Sequence, residues 1–253
     1  MAAEPKNSRE GYALKVRVKF EKTGVMRFVG HLDLMRYFQK AMRRAEIPIR
    51  YSEGFSPHQI MSFGAPLSLG MSGLGEYMDI ELEENAGISS KEACDRLNAV
   101  MCPGMHILSF LEIPPDSKPA MSVMAQADFF VDFLHPVPGE KIQRAIAKLL
   151  EKNTLPITKK QKKKTKRHGR TEMVLEEKTM DIRPFLYQLE ERNRGIFMHI
   201  SQGSINNVKP VWVLELLKEE GLKEAIDAGY TLYRTDLYTE EGKTLDAYGW
   251  EIT

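Results

Sequence analysis

An α+β fold is predicted, with two successive segments each running β-α-β-β-α-β. Three observations predict it: alternation of apolar and basic residues at 13–20, a strongly amphipathic helical stretch at 31–46, and the same order of elements returning after Pro114-Pro115. A chain of 253 residues has room for two small domains. Their expected bounds are 13–115 and 120–253, behind a polar, mobile leader at 1–12.

The elements follow in chain order. Residues 13–20 (ALKVRVKF) have the period of a half-buried strand, and Lys22-Thr23-Gly24 makes the turn after it. Leu32, Met35, Phe38, Met42 and Ala45 recur at three- and four-residue steps, so they are the expected core stripe of a helix. Gly30 caps it, Asp33 sits in the first turn where the helix dipole favours a carboxylate, and Pro48 stops it. Strands are expected near 59–64 and 76–82, joined by a glycine-rich bend. A helix capped by Ser89 then runs to Met101, and a strand covers 105–112. This is the split β-α-β order of a ferredoxin-like domain. A second, tandem ferredoxin-like copy is read from a strand at 127–134 and a helix at 140–152. Two β segments follow, ending near Lys160 and spanning 171–180, then a helix at 182–191, a strand at 195–202, a helix at 210–220 and a last strand at 230–238.

Composition narrows the class. With 42% hydrophobic and 28% charged residues the chain can pack cores and is not biased to disorder. No stretch approaches the roughly 18 apolar residues of a spanning helix, and the start lacks the apolar core of a signal peptide. Cytoplasmic localisation, without membrane association, is expected. Cys94 and Cys102 are too few for a disulfide framework, a four-thiolate zinc site or an iron–sulfur cluster. The net charge of +1 conceals a strong asymmetry, because residues 159–170 (KKQKKKTKRHGR) hold eight Lys or Arg and no acid. The remainder has 28 basic against 35 acidic residues.

That segment is the first candidate site. Lys159, Lys160, Lys162, Lys163, Lys164, Lys166, Arg167 and Arg170 repel one another, so they are expected at a mobile or β-hairpin tip that gains most from a polyanion, where neutralised phosphates release counterions. No aromatic residue interleaves with them, so they promise affinity and not base readout. The second candidate is the flank of the first helix. Arg36, Lys40, Arg43 and Arg44 share it, Arg27 precedes it, and a Gly-Phe-Ser-Pro-His loop with Phe55 and His58 follows it. Two readings of the stripe are open: a solvated helix face, or, taken with the loop, an anion or RNA surface. His31 and His58 could shuttle protons, but their spacing does not make a metal site, and no metal is assigned. No nucleophile elbow, phosphate loop or dinucleotide fingerprint occurs, so no catalytic residue is assigned and no intrinsic activity is expected.

The string KTGVMRFVGHLDLMRYFQKAMRRAEIPIRYSEGFSPHQIMSFGAPLSLGMSGLGEYMDIEL resembles the bacterial radical SAM-associated family of uncharacterised function, whose members are encoded beside, or fused to, a radical SAM protein. The resemblance covers 16–82 and, more loosely, the DIRP segment at 181–184. Family members often have Ser where this chain has Gly30. The resemblance implies partnership: an accessory, RNA-binding partner of a radical SAM protein in RNA metabolism or modification. The iron–sulfur cluster and S-adenosylmethionine are expected only on that partner, since this chain lacks Cys-x-x-x-Cys-x-x-Cys. Two alternatives stay open: an RNA-processing enzyme with His31 or His58 as general acid or base, and a protein-only adaptor.

Overall fold

The computed structural model describes residues 13–84, 86–167, 170–203 and 206–253; of 159–167 and 170–176 it describes the backbone. The expected leader at 1–12 lies outside the described residues. In chain order the elements are β1 (Leu14–Lys22), α1 (His31–Arg44), β2 (Met61–Phe63), β3 (Ser72–Leu82), α2 (Ser90–Val100), β4 (Met105–Glu112) and the single turn α3 (Ala120–Val123). They continue with β5 (Gln126–Phe133), α4 (Gly139–Leu150), β6 (Pro156–Arg167), β7 (Arg170–Asp181), β8 (Leu186–Arg192), β9 (Gly195–Ser201), α5 (Pro210–Leu217), α6 (Lys223–Asp227), β10 (Tyr230–Tyr238) and β11 (Trp250–Glu251). Contacts divide the chain into two compact units, Met1–Gln126 with Leu232–Thr253, and Ala127–Thr231. The α+β class therefore holds, while residues 232–253, read from sequence as part of the second domain, pack with the first unit.

In the first unit the sheet runs β11-β4-β1-β3-β10, with β2 also on β3. All these pairings are antiparallel except the short parallel contact of β10 with β3 at Tyr233↔Ser72 and Arg234↔Gly73. Val16, Val18 and Phe20 of β1 and Met78, Ile80 and Leu82 of β3 meet α1 and α2 in a closed core. Phe38 anchors it, edge-on to Phe20 at 4.8 Å and to Phe63 at 5.6 Å. Ser89 caps α2 by accepting from the Glu92 N–H at 3.2 Å.

The register of α1 differs from the expected one. Leu34, Phe38, Ala41 and Met42 are buried, Met35 is half-buried, and Leu32 is 63% exposed. Residues 34, 38, 41, 42 and 45 form one continuous stripe at 100° per residue, whereas Leu32 falls on the opposite side of the helix from Leu34. The glycine-rich bend is also shorter than expected, since Gly73 and Gly75 lie inside β3.

In the second unit the sheet order is β5-β9-β8, and β6 and β7 form a separate two-stranded ribbon. Phe129 and Val131 of β5 and Ile196, Met198 and Ile200 of β9 are buried with Ile142 and Leu149 of α4. The helix expected at 182–191 is instead a short 3-10 turn, Arg183–Phe185, followed by β8. Leu186 and Leu189 have helical spacing, but a register shift between Leu186 and Gln188 lets both reach the core from a strand. Asn193 and Arg194, at φ 50° and 62°, make the tight turn into β9, the positive-φ pair that a two-residue hairpin demands. With the β6-β7 ribbon set aside as an insertion, β5-α4-β8-β9-α5-β10 follows the same β-α-β-β-α-β order along the chain as β1-α1-β2-β3-α2-β4.

The α1 register yields a direct test. Phe38→Ala is expected to destabilise the protein by about 3–5 kcal/mol, and Leu32→Ala by less than about 0.5 kcal/mol, both read from urea unfolding curves.

Candidate functional site

Alternation along β1 puts Lys15, Arg17 and Lys19 on the face away from the helices, opposite Glu81, Asp79 and Tyr77 of β3. Arg17 is 4% exposed. Its guanidinium grips Asp79 with two bonds, Nε to Oδ1 at 2.7 Å and Nη2 to Oδ2 at 3.0 Å, and also donates to the Leu245 and Lys118 carbonyls. Asp79 in turn accepts from the Ala120 N–H at 2.7 Å. Lys19 pairs with Asp236 at 2.6 Å and Asp246 at 3.6 Å, and the Tyr77 hydroxyl donates toward the same two carboxylates. Burial and these two anions push the Tyr77 phenol far above its ordinary range.

A second buried pair lies on the core side. Glu76 and Arg234, with side chains 4% and 3% exposed, form a two-bond ion pair, and Arg234 also donates to the Ala65 carbonyl at 2.9 Å. Gly73 leaves the room: a Cβ there would stand 2.5 Å from Cγ of Glu76. Lys22 donates to the Val29 carbonyl at 2.8 Å, and burial lowers its ammonium, with Glu76 opposing that shift. Arg17, Lys19, Glu76 and Arg234 are matched internally, so they hold the sheet together.

The predicted binding residues are divided among separate places. Arg27 is half-buried, its guanidinium 4.8 Å over the Phe28 ring and its Nε buried without a partner. Arg36 is exposed and pairs with Asp33 at 3.2 Å; Lys40 and Arg43 are exposed; Arg44 bonds the Val100 carbonyl at 2.9 Å. The following loop is closed by the Tyr51↔Gln59 bridge and by His58, whose Nδ1 lies 2.8 Å from the Ser52 hydroxyl. Phe55 is fully exposed at its tip. Among the described residues no hydrogen bond or ion pair joins Arg36, Lys40 or Arg43 to Phe55 or His58. His58 instead lines a cleft of about 270 Å³ with Lys15, Ser62, Glu81, Ile60 and Ile113. His31 packs edge-on against Phe63 at 5.5 Å.

Leu32, assigned to the core by periodicity, heads the exposed stripe that continues through Arg36, Lys40 and Arg43. Val25, Phe28 and Leu69 are exposed near it, at 77%, 62% and 69%, and the Gly70 N–H ties the Leu69 loop to the Arg27 carbonyl at 2.9 Å. Apolar side chains of that size, left outside beside cations, form a surface that sequence periodicity misses. The basic run lies toward the closing end of the β6-β7 hairpin. Lys159 to Arg167 form most of strand β6 and Arg170 begins β7, in a register that sets Arg167 opposite Arg170. His168 and Gly169, and the side chains of the run, lie outside what is described. Cys94 and Cys102 are free, half-buried and packed against the core. No cluster of His, Cys, Asp and Glu able to hold a metal occurs among the described residues, and no described helix is long and apolar enough to cross a membrane.

Fold and surfaces together define an α+β protein with a charge-pinned, mostly antiparallel sheet and a long basic ribbon. The chain belongs to the family described as an uncharacterized protein conserved in bacteria (DUF2344), whose model matches residues 15–210. No curated protein matches it.

Glu76→Leu strands Arg234 in the interior and is expected to cost about 3–5 kcal/mol, much of which the double change Glu76→Leu/Arg234→Met restores. Thermal unfolding of the two variants beside the parent protein measures the difference.

Proposed function

We propose that the protein is a cytoplasmic, RNA-binding accessory partner of a radical SAM enzyme in RNA metabolism or modification. The observation that carries the RNA half is the ribbon: a run with eight positive charges belongs to a two-stranded element of twelve residues per strand. At roughly 3.3 Å per residue each strand extends about 40 Å, long enough to follow several phosphates. The partner half rests on the family resemblance and on the exposed cluster of Val25, Phe28, Leu32 and Leu69 beside Arg36, Lys40 and Arg43, a combination suited to a protein surface. The first unit, with its β4-β1-β3-β2 order, is read as ferredoxin-like. The cluster and S-adenosylmethionine would reside on the partner.

Changing Lys162, Lys163, Lys164 and Lys166 to Gln removes four phosphate contacts. The slope of log affinity against log salt for single-stranded RNA should shrink by about 3, at roughly 0.7 per phosphate; fluorescence anisotropy across a salt series reads it. An unaltered slope overturns the role of the ribbon, and no RNA binding at all leaves the protein-only adaptor. Release of cleaved RNA, lost in His58→Gln, would assign the processing reaction.

Arg36→Gln/Arg43→Gln should weaken binding of RNA or of the proposed radical SAM partner at least tenfold, about 1.4 kcal/mol, with the melting temperature nearly unmoved. A collapse of stability instead makes those arginines structural.

A further inference from the structure

We infer that the open face of the β5-β9-β8 sheet, centred on Tyr187 and His199, stacks the bases of single-stranded RNA. The inference deepens the RNA-binding reading above and rests on it. Along β9, Ile196, Met198 and Ile200 are fully buried and α4 packs against β8 and β9, so His199 stands on the face away from the helices. Tyr187 of β8 is on the same face, 49% exposed, with its ring centroid 5.5 Å from that of His199 at a tilt of 48°. His199 is itself positioned, because Asp128 of β5 takes its Nδ1 at 2.5 Å. One side of the Tyr187 ring is thus propped by an anchored imidazole, while half of the residue's surface remains open to a planar ligand.

The same hairpin carries a second platform. Phe130 of β5 lies across Gly195, where a Cβ would stand 2.5 Å from the phenyl Cζ, so this crossing requires glycine. Beside it Arg192, exposed and paired with Glu190, sets its guanidinium 3.4 Å from the ring centroid of the buried Phe197, so a planar cation lies over an aromatic base. Exposed aromatic and guanidinium planes on a sheet are surfaces on which unpaired bases stack, and they are useless to a duplex whose bases already stack on one another.

The basic ribbon leads directly into β8 of this sheet. β7 ends at Asp181, whose carboxylate accepts the N–H groups of Leu155 at 2.7 Å and Arg183 at 3.0 Å, and β8 opens after a single 3-10 turn. Those two bonds hold the Asp181 carboxyl below its ordinary range. Tyr187 follows the last residue of the ribbon by six positions, so a strand held by its phosphates along β6 has an aromatic platform on the next strand of the chain. The basic run contains no aromatic residue, so the base-contacting component that it lacks is supplied by β8 and β9.

The test uses the full-length protein and a fluorescein-labelled 12-nucleotide RNA of mixed sequence, alone and annealed to its complement. Tyr187→Ala should weaken binding of the single strand about tenfold, within the range of one stacked base, and leave the salt slope and the duplex affinity unchanged. Tyr187→Trp should restore binding. A second measurement is independent of any substitution: 4-thiouridine placed along the strand should photocrosslink the unaltered protein within residues 187–199. Undiminished single-strand affinity in Tyr187→Ala, or crosslinks confined to other segments, overturns the inference while RNA binding stands. Failure of the unaltered protein to bind the single strand overturns the RNA-binding reading along with it.

Discussion

The buried pair of Arg17 with Asp79 is the constraint on which the first unit depends. A strand that alternates Val16, Val18 and Phe20 with Lys15, Arg17 and Lys19 can bury its apolar side only if the cations opposite are matched or wet. Here they are matched. Arg17 uses Asp79 and two carbonyls, and its partner also receives the Ala120 N–H, so the connection after β4 is drawn over the sheet. Lys19 does the same for the chain's end through Asp236 and Asp246. Residues 232–253 join the first unit because their carboxylates neutralise charges that β1 carries.

Glu76 and Arg234 extend this logic to the helix side of the sheet. An ion pair that is almost fully desolvated adds little over a well-packed apolar pair, but breaking it leaves an isolated charge in a poor solvent. It therefore acts mainly to set register, locking β10 parallel to β3 at Arg234↔Gly73, and Gly73 is the residue whose missing side chain lets Glu76 reach across. Such internal matching explains why the chain's near-neutral balance is uninformative about its surfaces: many of the carboxylates in the acidic final segment are already paired, while Lys40 and Arg43 of α1 are exposed.

Much of the fold was legible in local pattern. Period two marked β1, Ser89 marked the start of α2, and Gly195 with its neighbours marked β9, because each depends on backbone periodicity or a cap within a few residues. The expected helix at 182–191 failed for a physical reason: Leu186 and Leu189 satisfy a helical period, and only pairing with β9 through the Asn193-Arg194 turn reveals a bulged strand. The Arg-Asn-Arg-Gly turn was the available signal. Leu32 misled in the same way, since two overlapping apolar periods begin α1 and the choice between Leu32 and Leu34 is made by what β1 and β2 place beneath the helix.

By itself the sequence determined the α+β class, the amphipathic helices, the concentration of positive charge at 159–170 and the shortage of cysteine, all properties of composition or of spacing within one element. Tertiary structure alone decided which charges are spent internally, that the basic run is built into a strand, and that Tyr187, His199 and Asp128 share one face. Those outcomes join residues up to 71 positions apart in the second unit, and more than 200 apart where Arg17 meets Leu245. Contacts over such separations are set by sheet order and register, which local periodicity does not encode.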